Sequence, residues 1–207
     1  MTVGPTAGNG TPAAAGTTVH RRTLEYEVTD DGPELIVVGR LRDTRPWAEG
    51  TDSVSLVHDM TLRVRVRVDD MTIVDARADM EAFPHSECPG IVTALTGLAG
   101  LRIGPGFTRA VVSLIGGTKG CTHLDQLARS LGPVVVQAVT SSRALAMSRG
   151  AGGDLRAGNG SPWARDSCHV WAADGVAERK LAAGWRPGVG PYPSLPAEWW
   201  EGKAPAP

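Results

Sequence analysis

The sequence predicts an α+β fold: an antiparallel β-sheet of three to five strands followed by packed helices. Two patterns and one contrast carry that reading. Leu62, Val64, Val66 and Val68 alternate with Arg63, Arg65 and Arg67, a period of two that gives a strand one apolar and one basic face. Beyond Phe83-Pro84 the period changes to the helical one, with Ile91, Leu95 and Leu98, then Leu124, Leu127, Ala128 and Leu131. Strand-like segments come first and helical ones second, with strong turn signals between the strands, which favours hairpins over crossovers.

The elements follow in order. Residues 21–29 form a first strand, with Leu24, Tyr26 and Val28 on one face. Asp30-Asp31-Gly32-Pro33 reverses the chain into a second strand over 34–42. Residues 43–53, with Pro46 and Gly50, read as a loop. The clearest strand is 54–68; Asp69-Asp70 turns it back into a return strand over 71–80. Pro89 suits the first turn of a helix running to Leu101. After Gly104-Pro105-Gly106, the segment Phe107 to Ile115 reads as a short helix or a strand. Thr122 to Arg149 is helical in character, with Pro133 expected to kink or divide it.

This gives a single α+β domain over 21–150. A small, polar, Gly/Thr/Ala/Pro-rich arm over 1–20 precedes it. A Trp/Pro-rich extension over 151–200 follows, whose indoles are expected to anchor it on the domain, and 201–207 is expected to be a disordered tail. The extension holds five of the six Trp; it covers its own domain or a neighbouring subunit, which leaves a homo-oligomer open.

With 207 residues and 42% apolar residues, the chain has material for a real core. Its formal net charge of -1 gives no electrostatic case for nucleic acid or an acidic membrane surface. No apolar run approaches the roughly 18 residues that a membrane span requires, and the first twenty residues lack the basic start and apolar middle of a signal peptide. Three Cys do not make a disulfide framework. These features point to a soluble cytoplasmic protein with free or metal-bound thiols.

Chemistry-bearing side chains gather at element boundaries. His58-Asp59 lies at the basic strand, His85 and Cys88 lie between the hairpin and the first helix, Cys121 and His123 open the long helix, and Cys168-His169 lies in the Trp-rich extension. Thiolate and imidazole suit zinc or iron, and a carboxylate can complete the shell. The spacing is not that of a zinc finger, because the chain contains no Cys-x-x-Cys. Each residue also has a plainer role. A buried Cys is a small hydrophobe, Asp59 serves as a turn acceptor, and Gly116-Gly117 serves as a helix-entry turn. The Arg63/Arg65/Arg67 face is either a solvated strand face paired with Asp75 and Asp79, or an anion surface for a substrate carboxylate or phosphate.

Ordered motifs carry a resemblance. They are Arg21-Arg22, Asp31-Gly32, Gly39-x-Leu41-x-Asp43, His58-Asp59-Met60, Cys88-Pro89, Gly120-Cys121-Thr122-His123-Leu124 and Cys168-His169-x-Trp171. In order and spacing the chain resembles a bacterial domain-of-unknown-function family from about residue 20 to 180. It is more distantly similar to U-type iron–sulfur cluster scaffold proteins. Their Cys-Gly-Asp, Gly-Cys and His-Cys motifs correspond here to His58-Asp59, Cys88 and Cys121. The chain departs from that pattern at Val57 and at Gly120, with His123 following Cys121 instead. The resemblance implies that the three motifs meet at one site.

The functional expectation is a metal-dependent enzyme of lyase or hydrolase type acting on a small, anionic organic substrate. His58, Asp59, Cys88 and Cys121 would hold a zinc or iron ion, His123 would be the general acid or base, and Arg63 and Arg65 would orient the substrate. Two alternatives stand beside it. One is a metal or iron–sulfur carrier. The other is a metal-free enzyme with Cys121 as nucleophile and His123 as its base, which requires Cys121 to lie in the turn before the helix, because residues two apart on a helix do not face each other.

Overall fold

The computed structural model describes residues 16–50, 52–150, 165–166, 168–173 and 175–182. Most of the N-terminal arm, the linker after Gly150, Trp163, Trp185, Trp199, Trp200 and the tail lie outside these residues.

Four strands form one antiparallel sheet in sequence order: β1 (Arg21–Asp31), β2 (Glu34–Thr44), β3 (Leu56–Arg67) and β4 (Ile73–Ala82). Gly32 turns the first hairpin with φ 74, the left-handed conformation that glycine adopts without strain, and its N–H donates to Asp30 Oδ1 at 3.0 Å. Asp70 organises the β3–β4 turn by accepting the Thr72 N–H at 3.0 Å. The expected loop before β3 contains one helical turn, α1 (Asp52–Ser55). The return strand starts two residues later than its sequence pattern suggests, at Ile73.

Alternation then sorts the side chains. On the even-numbered face of β3, Met60, Leu62, Val64 and Val66 are buried; on β2, Leu35, Val37 and Leu41 are buried on the same side. Gly39 lies in that row because Tyr26 crosses it: a Cβ at Gly39 would stand 2.6 Å from the Tyr26 ring. The Tyr26 hydroxyl thereby reaches the Leu127 carbonyl oxygen at 2.9 Å, which ties β1 to the helical layer. The other face of β3 exposes Arg63, Arg65 and Arg67. Arg65 pairs with Glu34 at 3.0 Å and Arg67 with Asp70 at 2.8 Å, so much of the basic face is a charge-compensated solvent face.

Helices cover the apolar side. α3 (Thr122–Ser148) packs on β1, β2 and β3, a 3-10 stretch (Cys88–Leu98) packs on β4, and α2 (Phe107–Ile115) packs against both. The stretch expected to be an α-helix from Pro89 winds as consecutive 3-10 turns. Three residues per turn place Leu95 and Leu98 on one face, and both are fully buried. Phe107–Ile115 is helical, burying Phe107, Val111 and Ile115. α3 runs unbroken through Pro133, held by Leu124, Leu127, Leu131, Val135 and Val139, all buried in the same core. Each such buried side chain contributes about 1.5–3 kcal/mol, enough in sum to outweigh one missing helical N–H. Two short elements follow, a 3-10 turn (His169–Trp171) and α4 (Val176–Ala182). Among the described residues no helix is long and apolar enough to cross a membrane.

Candidate functional site

The register of the sheet builds the site. Arg22 of β1 pairs across to Asp43 of β2, and Asp43 pairs across to His58 of β3. All three stand on the helix-facing side, where the apolar rows Leu35, Val37, Leu41 and Met60, Leu62, Val64 run out. The first turn of α3 brings His123 over the end of this row. Its ring centroid lies 3.9 Å from that of His58, tilted by 35°.

Asp43 is the hub, with 1% of its surface exposed. Arg22 clasps it through Nε to Oδ1 at 2.7 Å and Nη2 to Oδ2 at 2.6 Å, and donates from Nη1 to Gln126 Oε1 at 2.9 Å. His58 Nδ1 lies 2.9 Å from Asp43 Oδ2, His123 Nε2 lies 3.5 Å from the same oxygen, and His20 Nε2 lies 3.2 Å from Oδ1. Burial pushes the Asp43 carboxyl upward, but its bonds from Arg22 and His58 outweigh that and hold it at about 2, so it is ionised at neutral pH. Burial lowers the His123 imidazole, helped by nearby His58 and Arg22 and opposed by Asp43, which favours the neutral form that binds metals or accepts protons. Donor atoms of Asp43, His58 and His123 all lie within 4.8 Å of one another.

Of the residues singled out in the sequence, His58 and His123 meet here. Asp59 does not. Neighbours on a strand point to opposite faces, and Asp59 is buried on the far side of the sheet. There Arg40 grips it at 2.7 and 2.6 Å, and Arg42 adds a contact at 3.2 Å. Arg63 and Arg65 share that far face, separated from the histidines by the sheet itself. Cys88 opens the 3-10 stretch, its N–H donating to the His85 carbonyl oxygen at 3.0 Å, and it is not part of the Asp43 group. Cys121 lies at the margin. It sits in the turn just before α3, with Sγ 3.6 Å from His123 Nδ1 and 4.0 Å from Met60 Sδ. Gly120 makes that turn possible, because a Cβ there would collide with the Ile115 carbonyl oxygen. Cys168 is exposed in the last part of the chain.

Asp43, Arg22 and His20 were not picked out as site residues from the sequence. The signal for Asp43 is its parity: the alternation that buries Leu35, Val37 and Leu41 continues one step onto a carboxylate. An inward-facing acid at the end of an apolar row needs partners, and the basic Arg21-Arg22 pair heads the neighbouring strand.

Chemically the group offers two imidazoles and one carboxylate from three different elements, with a thiol beside it. No curated protein and no solved structure matches the chain. One family does, that described as Protein of unknown function (DUF2889), over residues 20–137. That span contains Arg22, Asp43, His58, Cys121 and His123 and ends before Cys168. With more than half of its length matched, the chain belongs to the DUF2889 family.

Proposed function

We propose that this protein is a metal-dependent enzyme of hydrolase or lyase type, using one zinc or iron ion held by Asp43, His58 and His123. The observation that carries the reading is the convergence of these three donors within 4.8 Å. An ion with bonds of about 2.0–2.2 Å sets tetrahedral ligand–ligand distances near 3.4 Å. The separations of 2.9 Å and 3.5 Å from Asp43 Oδ2 lie close to that value. In this reading the ion takes the place of the proton shared by His58 and Asp43.

Three protein ligands leave a position for water or substrate, which distinguishes a catalytic site from a closed structural one. The ion supplies Lewis acidity or an activated water. Asp43 brings a fixed negative charge, and the two imidazoles bring neutral nitrogen donors. A small organic substrate and a reducing cytoplasm, in which Cys88 and Cys121 stay free, fit the same reading.

One observation favours a second reading. Cys121 does lie in the turn before α3, and the chain Cys121 Sγ–His123 Nδ1, His123 Nε2–Asp43 Oδ2 has the order of a nucleophile, base and orienting acid at 3.6 and 3.5 Å. Here His123 would deprotonate the thiol, and no metal would be needed.

Metal and sulfide analysis of protein purified without added metal separates the readings. About one zinc or iron per chain, lost in Asp43→Asn and His58→Ala and retained in Cys121→Ser, is the expected result. Acid-labile sulfide would indicate an iron–sulfur carrier. Metal-free protein that binds neither added zinc nor iron, with Cys121 alkylated rapidly and more slowly in His123→Ala, would replace the metal reading with the thiol one.

A further inference from the structure

We infer that the site takes a substrate bearing an oxyanion, a carboxylate or phosphate group, and that Arg22, flanked by His20, is the residue that receives it. The inference rests on the metal reading and adds the substrate class and its recognition residue to it.

Charge balance makes the first argument. Arg22 and Asp43 cancel each other, and His58 and His123 are neutral when they serve as ligands. A divalent ion therefore leaves the site with an excess of two positive charges. Asp43 is the one carboxylate in the donor group. The next acid along β3, Asp59, is on the other face of the sheet and already gripped by Arg40 and Arg42. An anion entering the open position meets both the ion and the guanidinium.

Hydrogen-bond capacity makes the second. Arg22 uses Nε, one Nη2 hydrogen and one Nη1 hydrogen on Asp43 and Gln126. A guanidinium carries five N–H bonds, so one hydrogen on each terminal nitrogen is left to donate to the oxygens of a carboxylate or phosphate. Geometry makes the third. The Arg22 side chain is 36% exposed and that of His20 48%, while the Asp43 carboxylate they share is 1% exposed. Arg22 and His20 are thus the groups around Asp43 most open to an incoming ligand, ahead of His58 and His123. Arg22 is held in place by its buried partner, so little side-chain entropy is lost when it binds an anion.

The same geometry makes Arg22 a competitor of the metal, since both draw on Asp43. Removing it should move two affinities in opposite directions, a result that a merely structural role would not give.

The test uses the full chain loaded with Co(II), whose visible absorption reports its ligands, titrated with inorganic phosphate and with acetate. Both anions are expected to change the wild-type spectrum saturably. In Arg22→Gln, Co(II) should bind more tightly and both anions at least about tenfold more weakly. Phosphate acting while acetate does not would assign a phosphate-bearing substrate, and the reverse a carboxylate. Equal anion affinity in wild type and Arg22→Gln would overturn the inference, as would a Co(II) spectrum indifferent to both anions; in either case the metal reading stands. Failure of Co(II) to bind the wild type overturns both. Should Arg22→Gln not fold, Arg22→Lys serves: it keeps the charge and loses the fork, so acetate binding should fall more than phosphate binding. Unchanged acetate affinity in that variant would overturn the role given to Arg22.

Discussion

Asp43 is a buried carboxylate kept ionised by its neighbours, and that makes it a stability element with a defined pH range. Its carboxyl titrates at 3.8 when unperturbed and about 2 in the fold. The folded state therefore binds fewer protons than the unfolded one between those values. Its contribution, about 2 kcal/mol by linkage, is fully present above pH 3.8 and is lost as pH falls through about 2. Urea unfolding of the wild type and Asp43→Asn should show a stability gap that narrows by about 2 kcal/mol between pH 5 and pH 2. A gap that stays constant over that range would mean that the Arg22 and His58 bonds do not hold the carboxyl down. At this scale the sequence was half legible. The same alternation that identifies β3 puts His58 with Met60 and Leu62, and Asp59 with Arg63 and Arg65. Parity makes His58 and Asp59 alternatives for one ion, because neighbours on a strand face opposite sides. What alternation alone does not supply is register: only the pairing of Arg22 with Asp43 and of Asp43 with His58 makes a row of them.

At the scale of elements, the strands and their hairpin turns were readable because period-two alternation and turn residues agree. The 3-10 stretch was not, because the spacings of four and three at Ile91, Leu95 and Leu98 fit an α-helical period, whereas the stretch buries only Leu95 and Leu98, three residues apart. Pro133 shows why local propensity misled. It supplies no N–H to the helix, yet α3 continues past it, because the buried residues on both sides belong to one core. Pro133 also lines a groove of about 590 Å³ between the later part of α3 and β1, with Tyr26, Val28, Leu35 and Leu145. An interior proline costs a helix on the order of 3 kcal/mol. Replacing the exposed Pro133 by Ala restores the N–H without touching the core. Pro133→Ala is expected to stabilise the protein by about 1–3 kcal/mol in urea unfolding, with unchanged metal content. A destabilised variant would show instead that the proline ring packs in the groove in a way that the helix depends on.

At the scale of the whole molecule, the site is a clasp. Asp43 and His58 belong to the sheet, whereas His123 belongs to the helix that covers it. The proposed ion, bound by all three, would join two layers that are held by apolar contact and by bonds from Tyr26 to Leu127, Arg22 to Gln126 and Ser142 to Asp30. Because the three donors converge only in the folded chain, binding of the proposed ion would stabilise the fold by mass action, by about 2.7 kcal/mol at free ion one hundred times the Kd. Thermal unfolding with and without zinc should therefore show a rise in Tm that EDTA reverses. Asp43→Asn, His58→Ala and His123→Ala should each start from a lower or similar Tm and lose most of the zinc-induced rise. Cys88→Ser is the decisive control. Zinc also binds thiolates of unfolded chains, which works against stabilisation, so removing this thiol should leave the rise intact or enlarge it. If Cys88→Ser abolishes the rise while Asp43→Asn keeps it, the ion is held by the thiols and not by the sheet–helix clasp, and the three converging side chains are a charge network serving the fold alone.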